Sequence, residues 1–313
     1  MKRNTDMKTV QTVLGRINAD ALGHCQIHEH LYVEAGPATD KYPALRIDDA
    51  EKSAAELVAY RQAGGGSVVD CQPGFGAGRN ASALRRMSEE SGVHIVTVTG
   101  YHLPHFYEPD SAILNASENE LYAMFLDELK NGCVEDRSVI PGAVKSALGK
   151  DGCTGGAETR FRAAARAAAD AGVPLIVHTE KGAGAVKAVG IAREAGVPAN
   201  RIVICHVDRQ ATDYAPHDEI AATGVMLDYD TIGRFKYHDD ESEVRLIRHM
   251  IETGHGNQLL LSLDTTRERL GAYGGGVNLN YILKRFLNDL SAAGVNAETI
   301  LQITAANPEE VFS

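Results

Sequence analysis

The chain has 313 residues, of which 44% are hydrophobic and 23% are charged, as in an ordinary soluble globular protein. Its formal net charge is −11, and the acidic and basic residues are interspersed along the chain. Because a nucleic-acid-binding surface needs a basic patch, that class of partner is disfavoured. The sequence shows neither a run of about 20 apolar residues nor the apolar segment of a signal peptide, so we expect a cytoplasmic protein without a membrane partner.

The five cysteines are an odd number, are widely spaced and form no CxxC pair; they are Cys25, Cys71, Cys133, Cys153 and Cys205. This pattern argues against a disulfide framework and against a thiolate zinc site. We expect the five thiols to be buried as small apolar side chains.

Eight short apolar runs follow one another along the chain, each with a polar turn and then a stretch of helical character. In chain order they are centred on LGHCQIHEH, GSVVDCQ, HIVTVTGYH, SVIPGAVKSAL, PLIVHTE, RIVICHVD, GVMLDYD and QLLLSLD. The intervening helices include DDAEKSAAELVAYRQAGG, for which Asp48 is the predicted cap, and ETRFRAAARAAADAG, which should end at Gly172. Alternating strands and helices predict a parallel sheet.

The position of the polar residues favours a closed (β/α)8 TIM barrel over an open doubly wound sheet, which would show the same alternation. Most runs end in polar side chains, namely His28, His30, Asp70, Tyr101, His102, Lys145, His178, His206, Asp230 and Asp264. Active sites of parallel barrels lie at the carboxyl ends of the strands. We therefore predict an α/β fold with one barrel domain over residues 1–313, in which residues 1–15 form a leading strand or hairpin.

Four histidines at strand ends indicate a metal site. His28 and His30 are two apart on a strand, so both side chains can face the barrel mouth while Glu29 faces away. Alone, this pair fits equally well one buried, hydrogen-bonded histidine and one on the surface. His178 and His206 each end a strand of their own. Four inward imidazoles would need partners and would repel one another once protonated, and a bound metal resolves both problems.

Two further strand-end residues can join this site. Asp264 ends the eighth run, although Thr265 and Thr266 follow and a helix N-cap is an equally good interpretation. Lys145 lies between apolar neighbours on the fourth run, where a charged amine would oppose bound metal ions. If its neutral amine captures carbon dioxide, the resulting carbamate is an anion able to bridge two metals.

The order of these residues resembles the phosphotriesterase-like family of the amidohydrolase superfamily, in its lactonase-like branch. HEH stands on the first strand, Lys on the fourth, His on the fifth and sixth, and Asp on the eighth. Further similar stretches are GRN at residues 78–80, GYH at 100–102, LDYDTIG at 227–233, LLLSLDTTRERLGAYGGG at 259–276 and the closing ITAANPEEVFS. The resemblance spans nearly the whole chain.

The resemblance implies two divalent metal ions, typically zinc, with manganese, cobalt or iron as alternatives. By position, one ion would be held by His28, His30 and Asp264 and the second by His178 and His206, with carboxylated Lys145 bridging both. A hydroxide shared by the two ions would then attack a lactone or ester. Asp264 would take the proton of this nucleophile, which makes Asp264 and Lys145 the predicted catalytic residues.

The predicted substrate is a small anionic sugar lactone, and a phosphorylated one is the leading interpretation. Members of the family act on phosphotriesters, acyl-homoserine lactones or sugar lactones, and this chain has no Trp and only 6% aromatic residues, which favours a polar mouth. The predicted substrate-binding residues are Tyr101, Lys236, Arg267, Arg269 and Tyr273, with Arg234 and Tyr237 as neighbouring donors. Solvated loop charges are the alternative for each.

Two other functions stay open at this point. A roomy, apolar mouth would favour a phosphotriesterase or another ester hydrolase. A barrel that has lost catalysis and only binds metal or a partner is the alternative from another class, and the presence of Lys145 and Asp264 argues against it. We expect a small-molecule lactone or ester as the ligand, and the sequence leaves a homodimer open.

Overall fold

The chain folds as an eight-stranded parallel barrel preceded by a small hairpin. The computed structural model describes residues 8–313. The hairpin strands are β1 (Thr9–Thr12) and β2 (Gly15–Asn18). The barrel strands are β3 (His24–Glu29), β4 (Gly65–Asp70), β5 (His94–Gly100), β6 (Ala143–Ala147), β7 (Leu175–His178), β8 (Ile202–Cys205), β9 (Met226–Tyr229) and β10 (Leu259–Leu261). They pair in chain order from β3 to β10, and each of the eight predicted runs supplies one strand, so the predicted TIM barrel is confirmed.

Backbone and side-chain hydrogen bonds close the barrel where β10 meets β3. The backbone N–H of Asp264 donates to the carbonyl of His28 over 3.0 Å, and Ser262 Oγ accepts from the N–H of His28 at 3.0 Å. The Glu29 carboxylate accepts from the N–H of Leu263 at 2.8 Å, and burial raises the pKa of Glu29 to about 8. Glu29 therefore faces away from the barrel mouth, as its place between two inward histidines requires.

Helices cover the outside of the barrel. They are α1 (Pro37–Lys41), α2 (Ala50–Gln62), α3 (Ala81–Ser91), α4 (Ala112–Asn115), α5 (Glu118–Asn131), α6 (Gly155–Ala171), α7 (Ala185–Glu194), α8 (Ala215–Ala221), α9 (Asp240–Glu252), α10 (Leu287–Ala292), α11 (Ala297–Leu301) and α12 (Asn307–Phe312). None of these helices combines the length and apolar character needed to cross a membrane.

The two helix ends that the sequence predicted have different outcomes. Gly172 ends α6 in the left-handed conformation, with φ 67°, as predicted. The cap of α2 is Asp49 and not Asp48, because the Asp49 side chain accepts from the N–H of Lys52 at 3.2 Å. Asp48 instead pairs with Arg46 at 2.6 Å, so the predicted cap was wrong by one residue.

The amino end of the barrel is filled by apolar side chains from outside the sheet. Val10 of β1 and Val311 and Phe312 of α12 pack into one buried cluster with strand residues such as Ile27 and Val69. All five cysteines are buried and unpaired, as predicted. Residues 1–7 of the predicted leading segment lie outside the described residues. With this end filled, the polar carboxyl ends of the strands form the accessible face.

Candidate metal centre

The six predicted metal ligands converge at the carboxyl ends of the barrel strands. Their positions are His28 in β3, His30 just after it, Lys145 in β6, His178 at the end of β7, His206 directly after β8 and Asp264 beyond β10. The side chains of His28, His206 and Asp264 have ligand atoms within 4.8 Å of one another. The structure thus brings together residues that are up to 236 positions apart, the separation between His28 and Asp264 in the numbering.

Close contacts link all six side chains. Lys145 Nζ lies 2.8 Å from His28 Nε2, and His178 Nδ1 lies 2.8 Å from His206 Nε2. Asp264 Oδ1 is 3.4 Å from His30 Nε2 and 4.0 Å from His28 Nε2. The imidazole rings of His28 and His206 have centroids 4.8 Å apart, which joins the two halves of the cluster.

Two of these residues have unusual backbone conformations. His206 has φ 66° and Asp264 has φ 48°, in the left-handed region that side chains with a Cβ rarely occupy. Such strain persists where surrounding contacts hold it, and it is common at functional sites. The alternative role of Asp264 as a helix cap is not observed, because the next helical turn begins only at Gly271 and the Asp264 side chain lines a cavity.

Asp230, one residue after β9, orients two of the histidines. Its Oδ2 accepts from His28 Nδ1 at 2.9 Å and its Oδ1 from His206 Nδ1 at 2.6 Å. Burial opposes ionisation of Asp230, but His206 and then His28 outweigh it and hold the pKa of this carboxyl far below its usual range. With Nδ1 protonated in both rings, each Nε2 presents a lone pair to the centre, which is the usual arrangement behind a metal-binding histidine.

Burial favours the neutral form of three histidines of the cluster. It lowers the pKa of His28 to about 4, with a further contribution from Lys145, and it lowers the pKa of His178 to about 4 as well. It also lowers the pKa of His206 well below the ordinary histidine value. Since a metal binds the neutral ring, these histidines are in the form that a ligand requires.

Lys145 fits the cluster better as an anion than as an ammonium. The side chain is fully buried, and within residues 8–313 no ion pair joins it to a carboxylate. An isolated buried ammonium is costly. A carbamate formed on Nζ would add a negative charge where imidazoles and Asp264 already converge. The residues present therefore fit divalent metal ions with nitrogen and oxygen ligands.

A cavity of about 170 Å³ opens above the cluster. Its polar wall carries side chains that can ligate or hydrogen-bond, namely His30, Gln72, His102, His105, His178, Glu180, Arg209, Arg234, Asp264, Thr265 and Thr266. Apolar side chains also line the cavity, namely Val33, Leu45, Leu103 and Phe106. Leu103, His105 and Glu180 also line a neighbouring pocket of about 710 Å³, so a substrate bound at the cluster can extend past these side chains.

None of the five residues predicted to bind substrate is among the described residues that line this cavity. Tyr101 is fully buried and stacks on Phe125, with 6.4 Å between the ring centroids. Lys236 lies outside the cavity, where its Nζ is 5.0 Å from the centre of the Tyr237 ring. A substrate role for either residue stays a prediction.

The other three predicted substrate residues hold the loop after β10. Arg269 is buried and donates to the carbonyls of Ile232 and Leu263. Arg267 pairs with Asp48 at 3.1 Å, and the Tyr273 hydroxyl donates to the carbonyl of Asp49 over 2.8 Å. These contacts hold the loop, and among the described residues Arg269 Nε is left without a partner. The substrate roles of all three residues also stay predictions.

Sequence reasoning missed cavity residues that follow the strand ends. His102, noted only as a polar strand-end residue, is buried and stacks on Phe106 with the ring centroids 3.8 Å apart. Arg209 was not considered, although it stands three residues after His206 in the same turn. Its Nη1 is 3.1 Å from Glu180 Oε2. The spacing from a predicted ligand was the available signal for Arg209.

Comparisons with known proteins agree with this geometry. The model of the phosphotriesterase family matches residues 8–312. An N-acetyltaurine hydrolase of Danio rerio is 26% identical over 96% of this chain and 96% of its own length, and a phospho-furanose lactonase of Mycoplasmopsis synoviae is 27% identical over 98% and 92%. The crystal structure of a lactonase from Listeria monocytogenes superposes with a TM-score of 0.90 at 26% identity, over 97% of this chain and 99% of that one. The predicted resemblance is confirmed: the chain belongs to the phosphotriesterase family and, like these relatives, is a hydrolytic enzyme.

Proposed function

We propose that this protein is a binuclear metal-dependent hydrolase that opens a small sugar lactone, phosphorylated in the leading interpretation. The observation that carries the proposal is the buried cluster of four histidines, Lys145 and Asp264 below a compact cavity. Two relatives that match nearly the whole chain are named as lactonases. The charged and hydrogen-bonding side chains that line the cavity suit a hydroxylated or charged ligand.

Each metal ion has a defined set of ligands in this proposal. His28, His30 and Asp264 would hold one ion and His178 and His206 the other, with the carbamate of Lys145 shared between them. Zinc suits these imidazole and carboxylate donors, and manganese, cobalt or iron are alternatives. When bound, such ions lower the pKa of water and polarise the substrate oxygen.

The chain's own residues supply positioning and proton transfer. Asp230 keeps Nε2 of His28 and His206 aimed at the centre through its bonds to both Nδ1 atoms. The Asp264 carboxylate, which lines the cavity, would accept the proton of the attacking water and return it to the leaving oxygen. The apolar side chains of Leu103 and Phe106 exclude bulk water from one side of the substrate.

Hydrolysis of an amide is the second candidate, because several relatives that cover the chain are named N-acetyltaurine hydrolases. The same groups would serve this reaction, since the proton held by Asp264 can pass to a leaving nitrogen as well as to an oxygen. This chain is 25–27% identical both to N-acetyltaurine hydrolases and to the phospho-furanose lactonase, so sequence identity does not favour either substrate.

One assay panel tests both candidates. The purified protein, loaded with zinc or manganese, is tested against sugar lactones with and without a terminal phosphate, N-acetyltaurine and a phosphotriester, and its metal content is measured by plasma mass spectrometry. We expect two ions per chain and turnover of a lactone. Preferred turnover of N-acetyltaurine would select the amide hydrolase. Two bound ions without turnover of any compound would favour the barrel that has lost catalysis.

A further inference from the structure

Two arginines stand side by side in the cavity wall, next to a predicted metal ligand. Arg234, in the loop after β9, contacts Asp264 Oδ2 through Nη1. Arg209, in the turn after β8, reaches the same oxygen with Nη2 at 3.5 Å. Both guanidinium groups therefore lie within contact distance of a residue that we assign to the metal centre, and not at the outer rim of the mouth.

Arg209 is buried to an extent that is unusual for an arginine at a cavity. Its side chain is 9% exposed, and its Nε has no hydrogen-bond partner among the described residues. Burial of a donor without an acceptor is unfavourable, because the water that it loses is not replaced. An acceptor atom of a bound ligand would complete the hydrogen bonding of Arg209.

One aromatic ring organises the two guanidinium groups. The Tyr237 ring centre is 5.3 Å from the Arg209 guanidinium carbon and 5.6 Å from that of Arg234. Cations at this distance are attracted to the ring, so Tyr237 helps to hold both guanidinium groups near each other. Lys236 Nζ is 5.0 Å from the same ring, so three cationic side chains surround Tyr237.

The charges of the cavity wall favour an anion at this point. Arg209 and Arg234 face two carboxylates, Glu180 and Asp264, across the polar wall. In the function proposed above, Asp264 serves the metal centre, which leaves Glu180 paired with Arg209 and gives Arg234 no other carboxylate partner among the described residues. An oxyanion held by both forks restores the balance, because guanidinium groups bind such groups through paired hydrogen bonds.

We propose that Arg209 and Arg234 form an anion subsite and that the substrate carries a carboxylate, sulfonate or phosphate only a few bonds from its scissile carbonyl. The inference rests on the proposed hydrolase function, which it narrows to compact anionic acyl compounds. It differs from the substrate site that the sequence predicted around Lys236 and Arg267, because the anion here is adjacent to Asp264.

Matched lactones test the subsite. The zinc-loaded enzyme is assayed with γ-butyrolactone γ-carboxylate and with the neutral carboxamide of the same lactone. We expect kcat/KM to be roughly tenfold or more higher for the carboxylate, as a charge-assisted bond implies. Arg209→Gln and Arg234→Gln should each abolish that preference mainly through KM, while Arg209→Lys keeps part of it. The same variants are tested on N-acetyltaurine and on a pentonolactone with a terminal phosphate, to identify which anion depends on the arginines.

A binding measurement keeps the subsite testable without turnover. Inorganic sulfate is titrated calorimetrically into the zinc-loaded wild type and variants, with metal content checked in each. We expect weaker sulfate binding in both glutamine variants, and unchanged binding in Arg245→Gln, which removes an exposed arginine paired with Glu241. If Arg209→Gln does not fold, Arg234→Gln and Arg209→Lys carry the test.

The two proposals fail in different ways. If the enzyme hydrolyses the charged and neutral lactones equally, or if the preference and sulfate binding survive in both arginine variants, the subsite is overturned while the hydrolase stands. If no lactone or amide is hydrolysed but sulfate binding requires Arg209 and Arg234, the subsite stands while the proposed reaction falls.

Discussion

Replacing Asp230 by asparagine tests whether one carboxylate positions two histidines of the proposed metal centre. The wild-type side chain accepts from His28 Nδ1 at 2.9 Å and from His206 Nδ1 at 2.6 Å. Asparagine has nearly the same shape but only one acceptor oxygen, and its amide nitrogen donates. One imidazole must therefore move its proton to Nε2, which blocks the nitrogen that faces the centre.

The size of the effect follows from the bond that is lost. A hydrogen bond to a charged group contributes roughly 1.5–3 kcal/mol, which corresponds to about ten- to a hundredfold in an equilibrium constant. Loss of a group that orients a metal ligand has a typical effect of about 10–100-fold on metal affinity. We expect Asp230→Asn to weaken binding of at least one ion by this factor and to lower kcat in proportion.

Asp228 provides the matched control on the same strand. It is fully buried and two residues away, and its Oδ1 accepts from Ser262 Oγ at 2.9 Å. Burial and then the charge of Asp230 raise the pKa of Asp228 well above the ordinary aspartate value, so this side chain retains its proton. Asp228→Asn therefore replaces one neutral group by another and should leave metal affinity nearly unchanged.

Competition with a chelator of known affinity, followed by plasma mass spectrometry, measures the metal affinity of the wild type and of both variants. Thermal unfolding followed by circular dichroism shows whether each variant keeps the fold. If Asp230→Asn folds and binds both ions with wild-type affinity, Asp230 does not set the tautomers of His28 and His206. Equal losses in both variants would indicate a general effect of altering this strand.

Two further changes test separate parts of the argument. Lys145→Ala should lose most activity and part of its metal, because without a bridging anion two cations repel, and a short carboxylic acid should restore some turnover; normal activity and metal content would contradict the bridge. Arg79→Met should lower the free energy of unfolding by about 3–5 kcal/mol in urea titrations, because it leaves the fully buried Glu128 without its ion-pair partner. Arg85→Met, which removes an exposed pair with Glu89, should change it by less than about 1 kcal/mol, and equal losses in the two variants would refute a special role for Arg79.

The sequence predicted the barrel and the convergence of the ligands because both depend on local periodicity. Largely apolar runs of four to seven residues identify strands such as β5 (His94–Gly100) and β8 (Ile202–Cys205). A polar residue at the end of such a run must lie at the carboxyl edge of a parallel barrel. His28 and His206 could therefore be placed in one site, although 178 positions separate their numbers.

The roles of the side chains around the predicted metal ligands depend on contacts between loops. Such contacts leave no periodic pattern in the sequence. Arg267, Arg269 and Tyr273 follow a metal ligand and carry donors, yet in the fold those donors bind carbonyls and Asp48. In the sequence, a donor that holds a loop and a donor that binds a ligand are identical. The difference lies in which partners the neighbouring loops supply.

The position of Arg209 also depends on contacts between loops, but here the result is a residue that lines the cavity. In the sequence it is a charged residue in a turn, where a solvated side chain is the ordinary outcome. It becomes a cavity residue because the turn after β8 directs it toward Glu180 from the loop after β7 and the Tyr237 ring from the loop after β9. In the proposed function, the strand ends therefore position the metal ligands. The loops after β7, β8 and β9 together position the charged side chains that would face the substrate. In the function proposed here, changes in those loops would alter the preferred anion and leave the proposed ligand set on the strands intact.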